Sequence, residues 1–438
     1  MPEQFLSKII QFPSVSYNEK QLKDFLMYYS CEKQLYVEDF SINDSTHNFC
    51  ASIYPLSSNK PNIVFLNHID VVSEGEKTEW QEPPFAGNIV KDTIWGRGAL
   101  DAKGLLAMQL FSILQWKDSA EKRELPFNVS LLSVCGEEIG GENGAQIVTN
   151  NFIKQLNAVV MFGEGGSGID SIIPSQPNKT VFGVSVAEKS SLWLKLIVTR
   201  KTFGHGSVPP SIYANKRMLR VLIKILDDKK KWRFNKLNRA MFKKLGELEG
   251  GYKGFVIKHI NWWIFQPFVA KHLNEGGDFH ILIENTITVT KIGNKGIVAD
   301  NQIANNAFAV LDCRLLPEMS PEKFLKKIKR IAGRNAEIEI IDQSPSALPS
   351  PITKHYEAFC ESLEQNNNNA TTSPILFPAT TDNNFFRNKG IPVYGCMPIK
   401  LSKKMMESIH NTNEHLPVKD LHKGIKVYSD YLDRMMKM

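Results

Sequence analysis

Short apolar runs alternate with helical patterns along the first part of the chain, and this alternation constrains the fold more than any other feature. Three runs are apolar and rich in β-branched residues, as buried strands are: "NIVFLNHI" (62–69), "NVSLLSVCG" (128–136) and "AVVMFGEGG" (158–166). Between the first two lies "AKGLLAMQLFSILQWK" (102–117), which predicts a helix. Strands that alternate with helices predict an α/β fold with a mostly parallel sheet flanked by helices. In such sheets, ligands bind at the carboxyl ends of the strands.

From about residue 186 the pattern changes to strand, helix, strand, strand, helix, strand. The six segments are "SLWLKLIVTRKTF", "NKRMLRVLIKILDD", "NTITVTKIGNK", "ANNAFAVLDCRLL", "PEKFLKKIKRIAG" and "AEIEIID". This order predicts a smaller, ferredoxin-like α+β domain at 186–348. It carries a largely helical insertion at about 229–283. The α/β pattern resumes after the linker "DQSPSALPSP", so we expect this domain to interrupt a larger one made of residues 1–185 and 349–438.

The first of the apolar runs carries two polar residues, His68 and Asp70, at its end. Side chains at positions i and i+2 of a strand point to the same face, so these two would lie together. One interpretation is a buried histidine that is satisfied by a nearby carboxylate. The other is a metal ligand whose second ring nitrogen is held by that carboxylate.

The composition excludes several classes of protein. The chain has 438 residues and six cysteines, and the cysteines show no CxxC spacing. This argues against a thiolate zinc site and a disulfide framework, and it favours a reducing, cytoplasmic compartment. No run approaches the roughly 20 apolar residues of a membrane span, so we expect no membrane association. The start, "MPEQFLSKIIQFPSVSYNEK", is not typical of a signal peptide and predicts an amphipathic helix instead.

The net charge of +7 invites a nucleic-acid hypothesis. Much of this charge lies in two stretches, "DDKKKWRFNKLNRAMFKKLGE" (227–247) and "EKFLKKIKR" (322–330). We expect both to be solvated helix faces, and no recognised nucleic-acid-binding module accompanies them. The sequence therefore predicts no nucleic-acid partner.

Five short stretches place a histidine, aspartate or glutamate at the end of an apolar run or in a glycine-rich loop. They are "HID" (68–70), "GRGALDAKG" (96–104), "GEEIGG" (136–141), "GEGG" (163–166) and "IHNTNEHLP" (409–417). Imidazole and carboxylate ligands without thiolate suit zinc, cobalt or manganese, and a bridging carboxylate suits a two-metal site. Taken singly, each acid is better explained as a helix cap or a loop carboxylate, and only the five together favour a metal site.

Together these stretches resemble the signature of the co-catalytic zinc amidohydrolase and exopeptidase family. That family includes glutamate carboxypeptidase, carboxypeptidase S, aminoacylase, acetylornithine deacetylase and succinyl-diaminopimelate desuccinylase. The wording is closest to the carboxypeptidase S and peptidase branch, and "VAEKSSLWLKL" and "FGHGSVPP" extend the resemblance into the second domain. The larger domain would then be the catalytic one, and the smaller one a lid and dimerisation domain.

The resemblance also implies a role for each residue of the metal site. One metal would be bound by His68 and Glu164, the other by Glu138 and His410, and Asp101 would bridge them. Glu137 would be the general base. Asp70 would orient His68. A cis peptide bond would follow Asp101.

In the second domain and the loop after it, the resemblance implies residues that contact the substrate. They are His205, which would polarise the scissile carbonyl, Asn301 and Arg314, which would grip the substrate carboxylate, and Thr381 and Asp382 in a substrate-binding loop. A surface strand arginine is the alternative interpretation of Arg314. Asn384 stands where many relatives have arginine.

The predicted function is hydrolysis of an amide or peptide bond next to a free carboxylate, in small peptides or N-acyl amino acids. The predicted cofactor is two divalent metal ions per subunit, zinc with cobalt or manganese as alternatives. A biosynthetic deacylase and a catalytically inactive binding relative are the competing hypotheses. We also expect a homodimer formed through the lid domain, in which His205 completes the active site of the partner.

Overall fold

The structure of the chain is a computed structural model. It describes residues 1–120, 124–202, 204–228, 231–262, 264–265, 278–296 and 299–438. A large, mostly parallel sheet with helices on both faces is accompanied by smaller sheets, which confirms the predicted α/β class.

In the described ranges the α-helices follow one another from the N-terminus to the C-terminus. They are α1 (Pro2–Ile10), α2 (Lys20–Glu32), α3 (Lys103–Ala120), α4 (Ala145–Asn151), α5 (Ile153–Leu156), α6 (Ala214–Leu226), α7 (Lys236–Glu249), α8 (Gly251–Lys258), α9 (Pro321–Ala332), α10 (Lys354–Asn366), α11 (Asn383–Asn388), α12 (Lys403–Ser408) and α13 (Val418–Met435). None of these helices is long and apolar enough to cross a lipid bilayer.

Among the residues that the structure describes, the β-strands form three sheets. The strands are β1 (Tyr36–Asp39), β2 (Phe49–Ser52), β3 (Asn62–His68), β4 (Ile89–Val90), β5 (Thr93–Trp95), β6 (Asn128–Val134), β7 (Ala158–Ile169), β8 (Thr180–Glu188), β9 (Ser190–Thr199), β10 (Thr286–Gly293), β11 (Asn306–Leu315), β12 (Glu337–Gln343), β13 (Ala370–Phe377), β14 (Val393–Lys400) and β15 (His415–Pro417). The large sheet has the order β1-β2-β6-β3-β7-β14-β8-β13. A small sheet has the order β15-β5-β4.

The large sheet is buried on both faces, which explains why its central strands are almost continuously apolar. In β3, Ile63 and Phe65 face a core that includes α1, α3 and α13. Val64 and Leu66 face the opposite core, which includes α4. The alternation follows from the two-residue period of a strand. The neighbouring strands β6, β3 and β7 run parallel, so their carboxyl ends lie at the same edge of the sheet.

The third sheet is antiparallel, with the order β10-β11-β9-β12. Helices α6 and α9 pack on it through apolar residues such as Met218, Val221 and Phe324. This is the ferredoxin-like arrangement that the order of strands and helices predicts.

The expected insertion at 229–283 contains α7, α8 and a 3₁₀ turn at Asp278–Leu282 in its described part. These elements share a small core, and Ile375 of β13 packs against it, so the segment lies beside the outer strand of the large sheet. The remainder, with most of "NWWIFQPFVAKHL", falls outside the residues that the structure describes.

Candidate metal centre and active site

Three adjacent strands bring polar side chains to one edge of the large sheet. His68 ends β3, and Glu164 lies within β7. Glu138 lies in a 3₁₀ turn, Glu137–Ile139, that follows β6. Two further residues come from loops: Asp101 precedes α3, and His410 follows α12. The carboxyl edge of the parallel strands therefore carries the candidate site, where a parallel sheet is expected to place it.

The five predicted ligands form one cluster in which Asp101 is central. Its Oδ1 lies 3.1 Å from Nε2 of His68, and its Oδ2 lies 3.0 Å from Nε2 of His410. The same nitrogen of His68 lies 3.4 Å from Oε2 of Glu164. The same nitrogen of His410 lies 3.1 Å from Oε2 of Glu138. The cluster thus consists of two histidine–glutamate pairs that share one aspartate. The Asp101–Ala102 peptide bond is cis, as the resemblance implies.

Asp70 lies beneath the cluster and is buried. Its carboxylate Oδ1 is 3.4 Å from Nδ1 of His68, but its backbone carbonyl is closer, at 2.9 Å. The Nδ1–H of His68 therefore donates to the carbonyl, which leaves Nε2 directed at the cluster. The carboxylate accepts hydrogen bonds from the backbone N–H groups of Glu137 and Glu138, both at 3.1 Å, and from Ser16 Oγ at 2.9 Å. Asp70 thus holds the turn of the two glutamates as well as the histidine.

The site concentrates negative charge. Within the part of the chain that the structure describes, Asp101, Glu138 and Glu164 form ion pairs only with His68 and His410. Hydrogen bonds from the His410 ring to the carboxylates of Asp101 and Glu138 raise the pKa of His410 to about 10.

Buried carboxylates need a compensating cation, because an isolated buried charge is costly. Glu138 Oε1 is buried and has no hydrogen-bond partner among the described residues. Imidazole nitrogens and carboxylate oxygens in this arrangement fit divalent metal ions such as zinc.

Glu137 lies beside the same cluster. One donor atom each from His68, Glu137 and Glu164 lie within 4.8 Å of one another, and the same holds for His68, Asp101 and Glu138. Burial raises the pKa of the Glu137 carboxyl well above its ordinary value, and the charge of Glu164 raises it further. Distance alone is therefore compatible with Glu137 as a ligand or as a base, and its role depends on the chemistry proposed below.

A cavity of about 250 Å³ opens onto the cluster. Its polar wall contains Asp101, Glu137, Glu138, Glu164 and His410. Its apolar wall contains Leu105, Phe377, Met397, Leu401 and Ile409. The cavity therefore presents both carboxylates and apolar side chains to a bound molecule.

The loop after β13 contributes to this cavity. Thr381 lines it, and its hydroxyl donates a hydrogen bond of 2.6 Å to the buried Glu188. Thr380 also lines it and accepts a hydrogen bond of 3.0 Å from Nη1 of Arg314, so this arginine reaches the edge of the cavity. Asp382 is buried but is absent from the described residues that line the cavity. Asn384 is also buried, and its side-chain amide has no hydrogen-bond partner among the described residues.

His205 and Asn301 lie elsewhere, in the second domain. Both are exposed, and neither is among the described residues that line the catalytic cavity. They are close to each other, since the backbone of Gly206 donates a hydrogen bond to the Asn301 carbonyl. The single chain therefore does not bring His205 to the cluster.

Comparison with known proteins identifies the family. Residues 64–434 match the description of peptidase family M20/M25/M40, which covers most of the chain. The chain belongs to this family. It is 25% identical over 377 residues to the "Probable carboxypeptidase S-like 2" of Dictyostelium discoideum, covering 84% of this chain and 70% of the relative. It is also 25% identical over 449 residues to the mouse "N-fatty-acyl-amino acid synthase/hydrolase PM20D1", covering 98% of this chain and 86% of the relative. The chain is thus a metallohydrolase of the M20 family that acts on amide bonds.

Solved structures of the M20 family share the fold. An M20 metallo-carboxypeptidase from Sulfolobus solfataricus superposes with a TM-score of 0.75 at 22% identity, covering 100% of this chain and 99% of that one. A Bacillus subtilis protein described as a dinuclear metal binding peptidase of the M20 family superposes with a TM-score of 0.60 at 13% identity, covering 100% and 99% of the two chains.

Glu414 is a site residue of this M20 chain that the motifs did not predict. It is completely buried, and its Oε2 accepts hydrogen bonds of 2.9 Å from Nη1 of Arg97 and from the backbone of Gly98. Its Oε1 accepts hydrogen bonds from the backbone of Leu100 at 2.8 Å and of Asp101 at 2.9 Å. Glu414 therefore fixes the loop that carries the central aspartate. Arg97 lies in the stretch 96–104 and Glu414 in the stretch 409–417. An arginine in one motif and a glutamate in another were therefore the available sequence signal for an ion pair.

Proposed function

We propose that this chain is a two-metal hydrolase that cleaves an amide or peptide bond next to a free carboxylate. The observation that carries the proposal is the position of Asp101, whose two oxygens each approach a different histidine at 3.1 and 3.0 Å. A carboxylate placed between two histidine–glutamate pairs is suited to bridge two cations.

The residues present fit such a centre. His68 and Glu164 would hold one cation, Glu138 and His410 the other, and Asp101 both. When bound, the two cations polarise the scissile carbonyl and lower the pKa of a water molecule. We propose zinc as the metal, with cobalt and manganese as alternatives, because all three accept imidazole and carboxylate ligands.

Glu137 would be the general base. It lines the cavity, and its backbone is held by Asp70, so its side chain is fixed beside the reacting groups. Its carboxylate would accept a proton from the attacking water and then donate that proton to the nitrogen of the leaving amine. The adjacent Glu138 faces His410 at 3.1 Å, which leaves Glu137 available for this transfer.

The apolar wall of the cavity favours substrates with an apolar group beside the scissile amide. The names of the relatives, a carboxypeptidase and an N-fatty-acyl-amino acid hydrolase, fit this choice. We therefore propose peptides or N-acyl amino acids with an apolar acyl group as substrates. Arg314, which reaches the edge of the cavity through Thr380, is the proposed partner of the substrate carboxylate, with Thr381 of the cavity wall as a further contact. Asn301, which lies beside His205, would contact the substrate from the partner subunit, and the buried Asp382 would belong to the substrate-binding loop that carries Thr381.

His205 would polarise the substrate carbonyl from the partner subunit of a homodimer. The backbone N–H of Ser207 donates to His205 Nδ1 at 3.2 Å, so the neutral ring carries its proton on Nε2. This exposed Nε2–H could donate a hydrogen bond to the carbonyl oxygen of the substrate. We further propose that residues 186–348 form a lid and dimerisation domain, and that residues 1–185 and 349–438 form the catalytic domain. The proposed location is the cytoplasm.

The proposal is tested with purified protein that has been stripped by a chelator and reloaded with zinc, cobalt or manganese. We expect two metal equivalents per chain and hydrolysis of N-acyl amino acids with a free carboxylate. The matched control substrate is the same compound with that carboxylate amidated, which should be cleaved far more slowly. Equal rates on both compounds would contradict the requirement for a carboxylate, and one metal equivalent at full activity would contradict the two-metal centre.

A further inference from the structure

The two basic stretches of the sequence meet at a second cavity, in the smaller domain. It has a volume of about 670 Å³ and lies between the end of α6, the segment after it, β10 and α9. Its cationic lining consists of Lys231, Arg233, Lys323, Lys326, Lys327 and Arg330. None of its lining residues also lines the catalytic cavity. The start of the first stretch and most of the second therefore share one concave surface instead of forming two separate solvated faces.

The positive charge of this cavity is largely uncompensated. The single acid in its lining is Asp228, which forms an ion pair with Lys327. No carboxylate in the described ranges forms an ion pair with any of the other five cations. A concave surface lined by charges of one sign concentrates ligands of the opposite sign. The ligand should accordingly be an anion.

Apart from Asn285, the remaining lining of the cavity is apolar. Ile225 and Phe324 are almost completely buried, and Ile287 and Met319 are partly buried. Leu226, which also lines the cavity, is 43% exposed. A small inorganic anion would leave this apolar surface in contact with water, whereas a hydrocarbon chain would cover it and gain free energy by burial. The ligand should therefore combine a negative head group with an apolar chain.

We propose that this cavity binds a single long-chain carboxylate. Its head group lies among the lysines and arginines, which form charge-assisted hydrogen bonds with carboxylates. Its chain lies against Leu226, Ile287 and Met319. The volume lies within the range of about 300 to 1,000 Å³ that small-molecule sites occupy. This site goes beyond the proposed catalytic function, and binding to it requires neither metal nor turnover.

The test is the binding of dodecanoate, below its critical micelle concentration, to the full metal-free chain by isothermal titration calorimetry. We compare Lys326→Glu/Arg330→Glu with the control Lys224→Glu/Lys329→Glu. Both double variants change the net charge equally and replace exposed residues of α6 or α9, but the control residues lie outside the cavity lining. We expect about tenfold weaker binding for the first variant, about 1.4 kcal/mol, and an unchanged affinity for the control. Met319→Ser should also weaken binding, and added salt should weaken it in the wild type.

Four outcomes would overturn the proposal. If Lys326→Glu/Arg330→Glu binds dodecanoate as tightly as the wild type, dodecanoate binds elsewhere, for example in the catalytic cavity. Equal weakening in both double variants would indicate a general effect of net charge. If inorganic phosphate displaces dodecanoate with a similar affinity, the cavity binds anions but has no site for an apolar chain. Association with phosphatidylglycerol vesicles without binding of monomeric dodecanoate would indicate a lipid surface as the ligand. If charge reversal unfolds the domain, Lys326→Gln/Arg330→Gln provides the same comparison.

Discussion

Replacement of Glu414 by glutamine should weaken metal binding at the centre, although Glu414 is not one of the proposed ligands. Each of its oxygens accepts two hydrogen bonds: one serves Arg97 and Gly98, the other Leu100 and Asp101. A glutamine has one acceptor oxygen and one NH₂ group, so whichever way the amide is placed, two donors face an NH₂ group. The variant keeps the shape of the side chain and removes both its charge and half of its acceptors.

The magnitude follows from the burial of the ion pair. The side chains of Arg97 and Glu414 are 2% and 0% exposed, and their charged atoms lie 2.9 Å apart. Removal of one partner of a buried ion pair costs about 3 to 5 kcal/mol, because the other charge stays buried. We expect about 3 kcal/mol, since the amide oxygen still accepts two of the four hydrogen bonds. Groups that orient metal ligands typically change metal affinity by about 10- to 100-fold when they are replaced, and Asp101 should be displaced in this way.

The assay is metal affinity by competition with a chromogenic chelator, together with the free energy of unfolding in urea. Glu188→Gln is the matched control, because Glu188 is as buried as Glu414 and pairs with Arg387 at 3.0 Å. Both variants should lose stability, but Glu188→Gln should keep its metal, since no described hydrogen bond links Glu188 to the Asp101 loop. Normal metal affinity in Glu414→Gln would refute the reasoning. Equal loss of metal in both variants would reduce the effect to general destabilisation.

Three further predictions address other groups. Glu137→Ala should abolish turnover and retain metal, whereas Glu138→Ala should lose metal in elemental analysis, and the opposite pattern would exchange their roles. A mixture of inactive His205→Ala and inactive Glu137→Ala subunits should recover about a quarter of wild-type activity after subunit exchange, because half of the dimers are mixed and each holds one intact site. No recovery despite verified exchange would refute action in the partner's site. Burial lowers the pKa of His355, which contacts Tyr431 at 2.8 Å, to about 4. The unfolded chain then binds more protons below pH 6.5, so the free energy of unfolding should fall by up to about 2 kcal/mol between pH 8 and pH 5. The free energy of unfolding of His355→Gln and of the wild type is measured by urea titration, both with chelator present so that metal binding does not contribute. The variant should lack this decrease, and an equal decrease in the variant would assign the pH dependence to other groups.

The sequence predicted the elements whose burial leaves a local pattern. The runs at 62–69 and 128–136 became β3 and β6, and the helix between them became α3, because strands buried on both faces must be apolar throughout. The ferredoxin-like order was visible for the same reason. Strand β8, in contrast, was not predicted, and its place between β14 and β13 depends on contacts between segments far apart in the sequence.

The candidate site was predictable in part. His68 and Glu164 lie on strands of the sheet, so periodicity places them at its edge. Asp101 and His410 lie in loops whose conformation depends on distant residues, and only the resemblance to a family implied that they are ligands. The basic cavity of the smaller domain was not predictable, since it depends on how α6, α9 and β10 pack together.

Two buried carboxylates, Asp70 and Glu414, perform the same task for different ligand stretches. Asp70, two residues after His68, accepts the backbone N–H groups of the Glu137–Glu138 turn. Glu414, four residues after His410, accepts backbone N–H groups of the loop that carries Asp101. Each histidine stretch therefore provides a proposed ligand and also the carboxylate that holds another ligand stretch. Because the ligand positions are coupled through these carboxylates, a substitution in one stretch displaces ligands in another, and the effects of substitutions at the centre cannot be additive.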